Sequence, residues 1–452
     1  MIRTTTPTTN QRNGQRSKVL PDHVDPLERE FQQIKSVIHQ QLIESLDLSN
    51  VTEDDQGRLY QQIRQLAGKV CKNRRELLGR VDRERLLDEL MAEIYGVGPL
   101  QQWMDDPDVT DILVNDPYTV YVERNGRLEL TGTIFADEEH LLRIIRRIVA
   151  QLGRRIDEAS PMVDARLPDG SRVNAVIPPM ALDGPALSIR RFGRRPLQLD
   201  DLLAKRSITP EMASFLQAAV EARIGLLVSG GTGAGKTTLL NALSSAIPES
   251  ERLITIEDSA ELLLQHRHLV RMETRPANTE GVGELAQRDL VRNSLRMRPD
   301  RIIVGEVRGP EVWDMLQAMN TGHEGSLTTI HANSARDALS RLEMMVAMTG
   351  YEMPVAVVRQ YVASGMRLVV QAARLKGGSR KIVGVSEIRG VVGGEYQLDE
   401  IFGFEQTGVD AEGNAIGRFY ATGYRPECLS RITAAGLSLP AETFEQPANE
   451  AH

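Results

Sequence analysis

Between Ile224 and Thr238 the chain reads Ile-Gly-Leu-Leu-Val-Ser-Gly-Gly-Thr-Gly-Ala-Gly-Lys-Thr-Thr, and this stretch restricts the fold more tightly than any other. An apolar run (Leu226, Leu227, Val228) ends in Ser229, glycines crowd together, and Leu239 and Leu240 open a helical pattern. Gly230, Gly235, Lys236 and Thr237 fill the G-x-x-x-x-G-K-[ST] phosphate-loop spacing. Each residue type has a reason. Glycines at 230, 231, 233 and 235, with Thr232 and Ala234 between them, let consecutive backbone N–H groups converge on phosphate oxygens without Cβ clashes. The helix that follows adds the positive end of its dipole. Lys236 brings a point charge to the β and γ phosphates, the Thr237 hydroxyl is placed to ligate Mg²⁺, and Thr238 completes the set. Residues 230–238 are therefore the candidate phosphate-binding site. The plainer alternative, a glycine-rich turn that binds nothing, sits poorly with strand, loop and helix in that order.

A chain of 452 residues is long enough for about two or three domains. Its 41% hydrophobic and 26% charged content is that of a globular protein. Without an apolar run near the roughly 18 residues of a membrane span, or a basic-then-apolar leader, a cytoplasmic protein is expected. Membrane contact is then expected only through partners. Cys71 and Cys428 form no C-x-x-C pair and read as ordinary thiols. A net charge of −8 and only 4% aromatics argue against direct nucleic-acid binding as the main activity.

Along the chain, residues 1–24 lack apolar periodicity and read as a flexible arm. From Leu27 the spacing becomes helical: Leu27, Phe31, Ile34, Ile38, Leu42 and Leu46 form one stripe. Leu59, Ile63, Leu66 and Val70 continue it, and Leu86, Leu87, Leu90, Met91 and Ile94 make another, so residues 25–95 form a helical module. After Gly96 the period falls to two. Residues 111–115 and 118–122 predict strands, Asn125-Gly126 a hairpin turn, and Asp137 to Gly153 a capped helix. Further strands at 162–166, 172–177 and 186–192 complete an α+β domain over residues 96–195. Residues 196–207 read as a linker. Over 208–432 strands (224–229, 252–257, 301–305, 325–330) alternate with helices (210–222, 235–246, 284–296, 310–320, 334–348), the pattern of a parallel α/β sheet. Short strands return over 366–404, and residues 433–452 read as a flexible tail.

The α+β domain carries a charge of its own. Between Arg143 and Arg195 stand eleven arginines, no lysine and five acids. Arginine without lysine suits multidentate recognition of phosphate or carboxylate. A solvated basic face is the alternative for most of the run. Arg166, Arg172, Arg190 and Arg191, on short strands ahead of a phosphate loop, are the candidates for phosphate contact.

Hydrolysis needs acids as well as a loop. Arg301-Ile-Ile-Val-Gly-Glu306 is an apolar strand delivering a carboxylate at its end, where an α/β sheet places ligands. Glu306 is positioned to order Mg²⁺, directly or through water, or to polarise the attacking water. Glu257-Asp258 repeats the device one strand earlier, with helix capping as the alternative use of either acid. His323 and His331 bracket a hydroxyl-rich strand that is a candidate γ-phosphate sensor.

These four stations, Gly230–Thr237, Ile256-Glu257-Asp258, Ile302–Glu306 and residues 321–333, resemble in kind and order the motifs of the secretion-superfamily ATPases of type II secretion, type IV pili and type IV secretion. The wording of Met162–Arg172, Leu187–Phe192 and Arg298–Arg308 is most similar to tight-adherence (Flp) pilus assembly ATPases. The resemblance covers about residues 85–405, and more loosely the helical module from residue 25. It implies a RecA-like phosphate-loop ATPase domain, preceded by a smaller α+β domain and an N-terminal helical module, in a homohexameric ring. It also implies ATP held between the arginine-bearing and phosphate-loop domains. Glu306 is then the catalytic acid, Glu257 assists metal or water, His331 contacts the nucleotide region, and Arg166, Arg172, Arg190 and Arg191 are candidate fingers. The implied function is a Mg²⁺-dependent ATPase that docks on inner-membrane platform proteins and moves pilin subunits. A type IV secretion ATPase handling DNA or effectors is the near alternative. The zinc-binding tetracysteine of type II secretion relatives has no counterpart in a chain with two cysteines.

Overall fold

A computed structural model describes residues 24–45, 61, 64–65, 83–124, 126–191, 196–275 and 282–445. The chain divides into two units, Met1–Gly193 and Arg194–His452.

In the first unit, alternation of apolar and polar residues builds one antiparallel sheet. Its strands are β1 (Val109–Asp116), β2 (Thr119–Arg124), β3 (Arg127–Leu130), β4 (Met162–Arg166), β5 (Arg172–Val176) and β6 (Ala186–Arg190), in the order β3-β2-β1-β6-β5-β4. Ile112, Val114, Val120, Val122, Val173, Ala175, Leu187 and Ile189 all point to one buried face, as a period of two requires. The helix Glu138–Gln151 covers that face with Leu141, Ile144, Ile145 and Ile148. It starts where expected: the Asp137 carboxylate accepts the His140 N–H at 2.7 Å, and Gly153, at φ +66°, follows its end.

Ahead of it lie helices Pro26–Ser45 and Arg83–Tyr95. Phe31, Ile34 and Ile38 are buried as the stripe demands, while Leu27, which heads it, is half exposed. Leu86, Leu87 and Leu90 are buried on the second helix. The fully buried Lys35 reaches Glu89 at 2.9 Å and Glu93 at 3.0 Å, and Glu93 meets His140 Nε2 at 2.9 Å. Burial alone would raise the Glu93 carboxyl, but its His140 and Lys35 partners hold it down to about 2. The stripe members Leu59, Ile63, Leu66 and Val70, like Cys71, lie outside the described residues.

The second unit is a nine-stranded sheet ordered β15-β14-β13-β12-β7-β11-β10-β8-β9. Its parallel part comprises β7 (Leu226–Gly230), β8 (Leu253–Glu257), β9 (Leu269–Glu273), β10 (Arg301–Val304), β11 (Leu327–Ile330) and β12 (Leu368–Arg374). The antiparallel extension is β13 (Arg380–Val392), β14 (Glu395–Val409) and β15 (Ala415–Ala421). One strand, β11, sits between the strand feeding the glycine loop and the strand feeding Glu306, the RecA-like order. Helices Lys236–Ser244, Gln287–Ser294, Glu311–Asn320, Ala335–Ala347 and Val355–Gly365 make the crossovers. Leu226 and Val228 belong to one hydrophobic cluster and Leu227 to another, so the sheet is covered on both faces.

Two boundaries differ from the sequence expectation. Within 196–207, expected as a linker, Leu199–Ala204 is helical, and Asp201 accepts the Gln198 N–H at 2.8 Å. Leu199 and Leu202 fall on one side of that turn and enter the core of the second unit. Within 433–452, expected as a flexible tail, Ala441–Phe444 forms a turn whose Phe444 ring lies 5.6 Å from Phe215 and 5.9 Å from Phe402. One aromatic side chain in a polar segment suffices to fasten it. Strands β9 and β15 and the helix Val355–Gly365 also went unanticipated, being a short edge strand, a polar hairpin arm and a Val-rich helix without helical propensity in its favour.

Because Phe444 is buried among aromatic rings, Phe444→Ala should destabilise the second unit by about 3 kcal/mol. Denaturant unfolding checks this: the transition of the second unit should shift to lower denaturant while that of the first stays in place.

Candidate nucleotide site

The end of β7 has no room for a side chain. A Cβ at Gly230 would sit 2.5 Å from the Ala372 carbonyl oxygen of the neighbouring β12, so only glycine allows the pairing of Gly230 with Ala372. Gly233 (φ +68°) and Gly235 (φ +96°) take left-handed conformations as the loop turns into the helix Lys236–Ser244. Lys236 is buried, its Nζ donating to the carbonyls of Gly230 at 3.0 Å and Gly231 at 3.1 Å. Thr237 and Thr238 occupy the first turn, half buried. Gly231 and Thr232 are exposed at the loop's crest, and Ala234 is packed into the core.

Parallel pairing brings the other stations to the same edge. Ser229 pairs with Ile330 and Val304 with both Thr328 and Ile256, so the carboxyl ends of β7, β11, β10 and β8 lie side by side. Glu306, Glu257 and His331 all follow or end those strands. One Glu306 oxygen accepts from Arg308 Nη2 at 2.6 Å and Nε at 3.0 Å. The other lies 3.0 Å from His331 Nε2, outside hydrogen-bonding geometry, and is buried without a hydrogen-bond partner. Burial lowers the His331 imidazole below its ordinary value, against the opposing pull of Glu306, and Lys236 adds to the lowering.

Glu257 is almost fully buried. Its Oε2 accepts the N–H groups of Glu261 at 2.6 Å and Leu262 at 2.8 Å, while Oε1 is buried with no hydrogen-bond partner. A Cβ at Gly305 would meet Glu257 Cγ at 2.8 Å, so the glycine before Glu306 makes the space for Glu257. Burial pushes its carboxyl up to about 7.

His323 is not part of this group. It precedes β11 rather than following it, and its ring bonds the Ala318 carbonyl at 3.2 Å. Two side chains unmarked in the sequence do belong: Arg374 and Arg380 lie against the glycine loop, Arg380 Nε donating to the Gly233 carbonyl at 2.8 Å. The only sequence signal for them is an arginine on each side of the Lys376-Gly-Gly-Ser379 turn.

In the first unit, register aligns Arg166 with Arg172, Arg172 with Arg190, and Arg190 with Asp111, one row across four strands. Arg172 pairs with Asp164 (Nε to Oδ1 3.0 Å), Arg190 with Asp111 at 3.3 Å, and Arg166 donates to the Gly170 carbonyl at 3.5 Å. Adjacent like charges in a sheet are unfavourable unless anions join them, and Asp164 and Asp111 are the anions that join this row. Arg191 departs from the expectation that grouped it with these three. One residue further on, its guanidinium donates to the carbonyls of Trp103 at 3.0 Å, Val109 at 2.8 Å and also Asp106. Those bonds commit it to holding the strand start.

A family model described as type II/IV secretion system protein matches residues 93–379, and one for the type II secretion system protein E N-terminal domain matches residues 31–95. The chain belongs to the type II/IV secretion family. A putative conjugal transfer protein of Mycobacterium tuberculosis is 40% identical over 306 residues, covering 66% of this chain and 86% of that protein. The type IV secretion system protein VirB11 of Brucella suis is 34% identical over 297 residues, covering 59% and 81%. Among solved structures, the Brucella suis VirB11 ATPase in complex with sulphate has 31% identity, covers 64% of this chain and 95% of its own, and gives a TM-score of 0.36. The pilus retraction motor PilT with bound ADP has 20% identity, covers 67% and 81%, and gives 0.46.

Within this secretion-family chain, the glycine cradle and the two buried, unbonded carboxylate oxygens of Glu257 and Glu306 fit a nucleotide with its magnesium ion. The raised Glu257 carboxyl has a measurable consequence. An unfolded Glu ionises near 4.5 and this one near 7, so between those values the unfolded chain loses its proton first. Stability therefore falls as pH rises from about 4.5 to 7, by up to about 3 kcal/mol, and stays lower above. Glu257→Gln should remove that fall, leaving the variant more stable than wild type at pH 8 in nucleotide-free denaturant titrations.

Proposed function

We propose that this chain is a motor ATPase that hydrolyses ATP to ADP and phosphate to power a pilus-assembly or secretion machine. The observation carrying the reading is the convergence of Lys236, Glu257, Glu306 and His331, from four parallel strands, on one edge beside a glycine loop. Backbone N–H groups of residues 230–235 and the Lys236 ammonium hold the phosphates. Thr237 and Glu306, directly or through water, hold Mg²⁺, with Glu257 beside them. An ion held there would supply neutralisation of phosphate charge. Glu306 positions and polarises the attacking water, and its contacts with Arg308 and His331 fix how its carboxylate faces. Arg166, Arg172 and Arg190 supply further positive charge to the terminal phosphate, from the same chain or a neighbouring copy, whereas Arg191 serves the fold.

The finer reading is a homohexameric ring, cytoplasmic, peripheral to the inner membrane through platform proteins, and working in tight-adherence (Flp) pilus assembly. Support for the pilus lies in the wording of Met162–Arg172 and Arg298–Arg308. Among the described residues no helix is long and apolar enough to cross a membrane, which suits contact through partners. Transport of DNA or effectors is the second reading, favoured by the 40% identity to a putative conjugal transfer protein.

Lys236→Ala should weaken nucleotide binding, while Glu306→Gln should bind normally and turn over about 10²–10⁴-fold more slowly. Phosphate release beside a binding titration separates the two, and wild-type turnover by Glu306→Gln would refute the assignment of Glu306.

Sedimentation with ATP should reveal assemblies of about six chains, since a finger supplied across copies ties activity to assembly. In them Arg190→Ala should slow turnover by up to about 10³-fold. Arg191→Ala should instead lower the stability of the first unit. A fully active monomer would exclude the ring.

A further inference from the structure

The hairpin joining β12 to β13 crosses beside the glycine loop, and its two arginines are opposite one another: Arg374 pairs in register with Arg380. The turn between them is firmly built. Leu375 N donates to Ser379 O at 2.7 Å, Gly378 N to Leu375 O at 3.0 Å, and Ala415 N ties the turn to the next hairpin through Lys376 O at 2.9 Å. A Cβ at Gly377 would sit 2.4 Å from Asn414 Oδ1, so the turn is pressed against that hairpin.

From this base both side chains lie along the loop. Both arginines come within van der Waals contact of the loop glycines: Arg374 Nη1 is 3.4 Å from the Cβ position of residue 233, and Arg380 Cδ is 3.6 Å from that of residue 235. Arg380 Nε donates to the Gly233 carbonyl at 2.8 Å. In a trans peptide the carbonyl of one residue and the N–H of the next point in opposite directions. The Gly233–Ala234 peptide is gripped at both ends, because the Ala234 N–H donates to the Gly231 carbonyl at 3.3 Å.

The two ends differ in what a phosphate does to them. A phosphate oxygen competes with the Gly230 and Gly231 carbonyls for the Ala234 N–H and the Lys236 ammonium. It has no claim on the Gly233 carbonyl, which would repel it if turned toward it. A charge-assisted bond from Arg380 to that carbonyl therefore keeps the acceptor off the phosphate side and leaves the donor facing it.

We propose that Arg380 is a positioning residue for nucleotide phosphate, orienting the Gly233–Ala234 peptide, with Arg374 adding positive charge beside it. The proposal rests on reading residues 230–238 as a phosphate loop. Its ligand class is nucleoside di- and triphosphates, and its effect belongs to binding rather than to the bond-breaking step.

Titration of the full chain with Mg²⁺–ADP, together with steady-state ATP hydrolysis, tests it. Arg380→Ala should weaken ADP binding and raise KM for ATP about tenfold, with kcat within about twofold of wild type. Arg380→Lys, which retains a charged donor, should recover most of the affinity, and both variants should keep the wild-type unfolding midpoint. Arg380→Met, which retains the apolar stem, takes the place of Arg380→Ala if the latter does not fold, with the same tenfold loss expected. Wild-type ADP affinity in Arg380→Ala or Arg380→Met, or a loss confined to kcat, overturns the proposal. A wild-type chain that binds no ADP sinks the phosphate-loop reading as well, so the two failures are told apart by the unmutated protein.

Discussion

Strand β7 is hydrogen-bonded on both sides, to β11 and to β12, and all five of its residues are buried. That double pairing fixes where the strand stops. At Gly230 the Ala372 carbonyl of β12 occupies the space of a side chain, so the backbone must leave the sheet there without one. The turn into the helix beginning at Lys236 then follows through glycines that accept positive φ. Move the register by one residue and every side chain of β7 changes faces, because side chains alternate along a strand. Everything at the carboxyl edge depends on this level.

The opposite edge is held as firmly. Arg301, the first residue of β10, is fully buried, with Nη2 3.1 Å from Glu251 and bonds to the Val220 and Gly325 carbonyls. Arg223 joins the same carboxylate at 3.1 Å. A buried charge is tolerated only when partners surround it, and removing one partner is then strongly unfavourable. The ion pair thus locks the start of the Glu306 strand to the turn before β8, and the bond to the Gly325 carbonyl ties it to the turn before β11. With both ends set, Gly305 can pass close enough to admit Glu257 beside it.

Much of this was legible in the sequence because it is local. Apolar runs bounded by glycine and acid stations located β7, β8, β10 and β11 within a few residues, and Asp137 marked its helix through a side-chain cap three residues long in reach. What was illegible depends on distant partners. Arg374 and Arg380 are ordinary hairpin arginines until β12 is known to pair with β7, far earlier in the chain. Arg190 and Arg191 are indistinguishable in composition, and only the pleat sends one to the arginine row and the other to three carbonyls. His323 and His331 bracket one strand in the sequence, and only its parallel pairing with β7 and β10 puts His331 rather than His323 at the carboxyl edge. Polar segments hid the helix at Leu199 and the clasp at Phe444, since one or two apolar side chains decide each.

That clasp sets an order of events. Leu199 and Leu202 open the second unit's core, and Cys428, Ile432 and Phe444 help close it, all within one hydrophobic cluster. During synthesis the first of these leave the ribosome long before the last. Until residues 428–444 emerge, the paired rings of Phe215 and Phe402 lack the Phe444 ring that covers them, and the nascent unit carries an apolar face that must be kept from other chains. Contacts between such distant segments also slow the search for the native state. Completion of this unit therefore waits on its last segment, by which time the antiparallel sheet of the first unit is already whole.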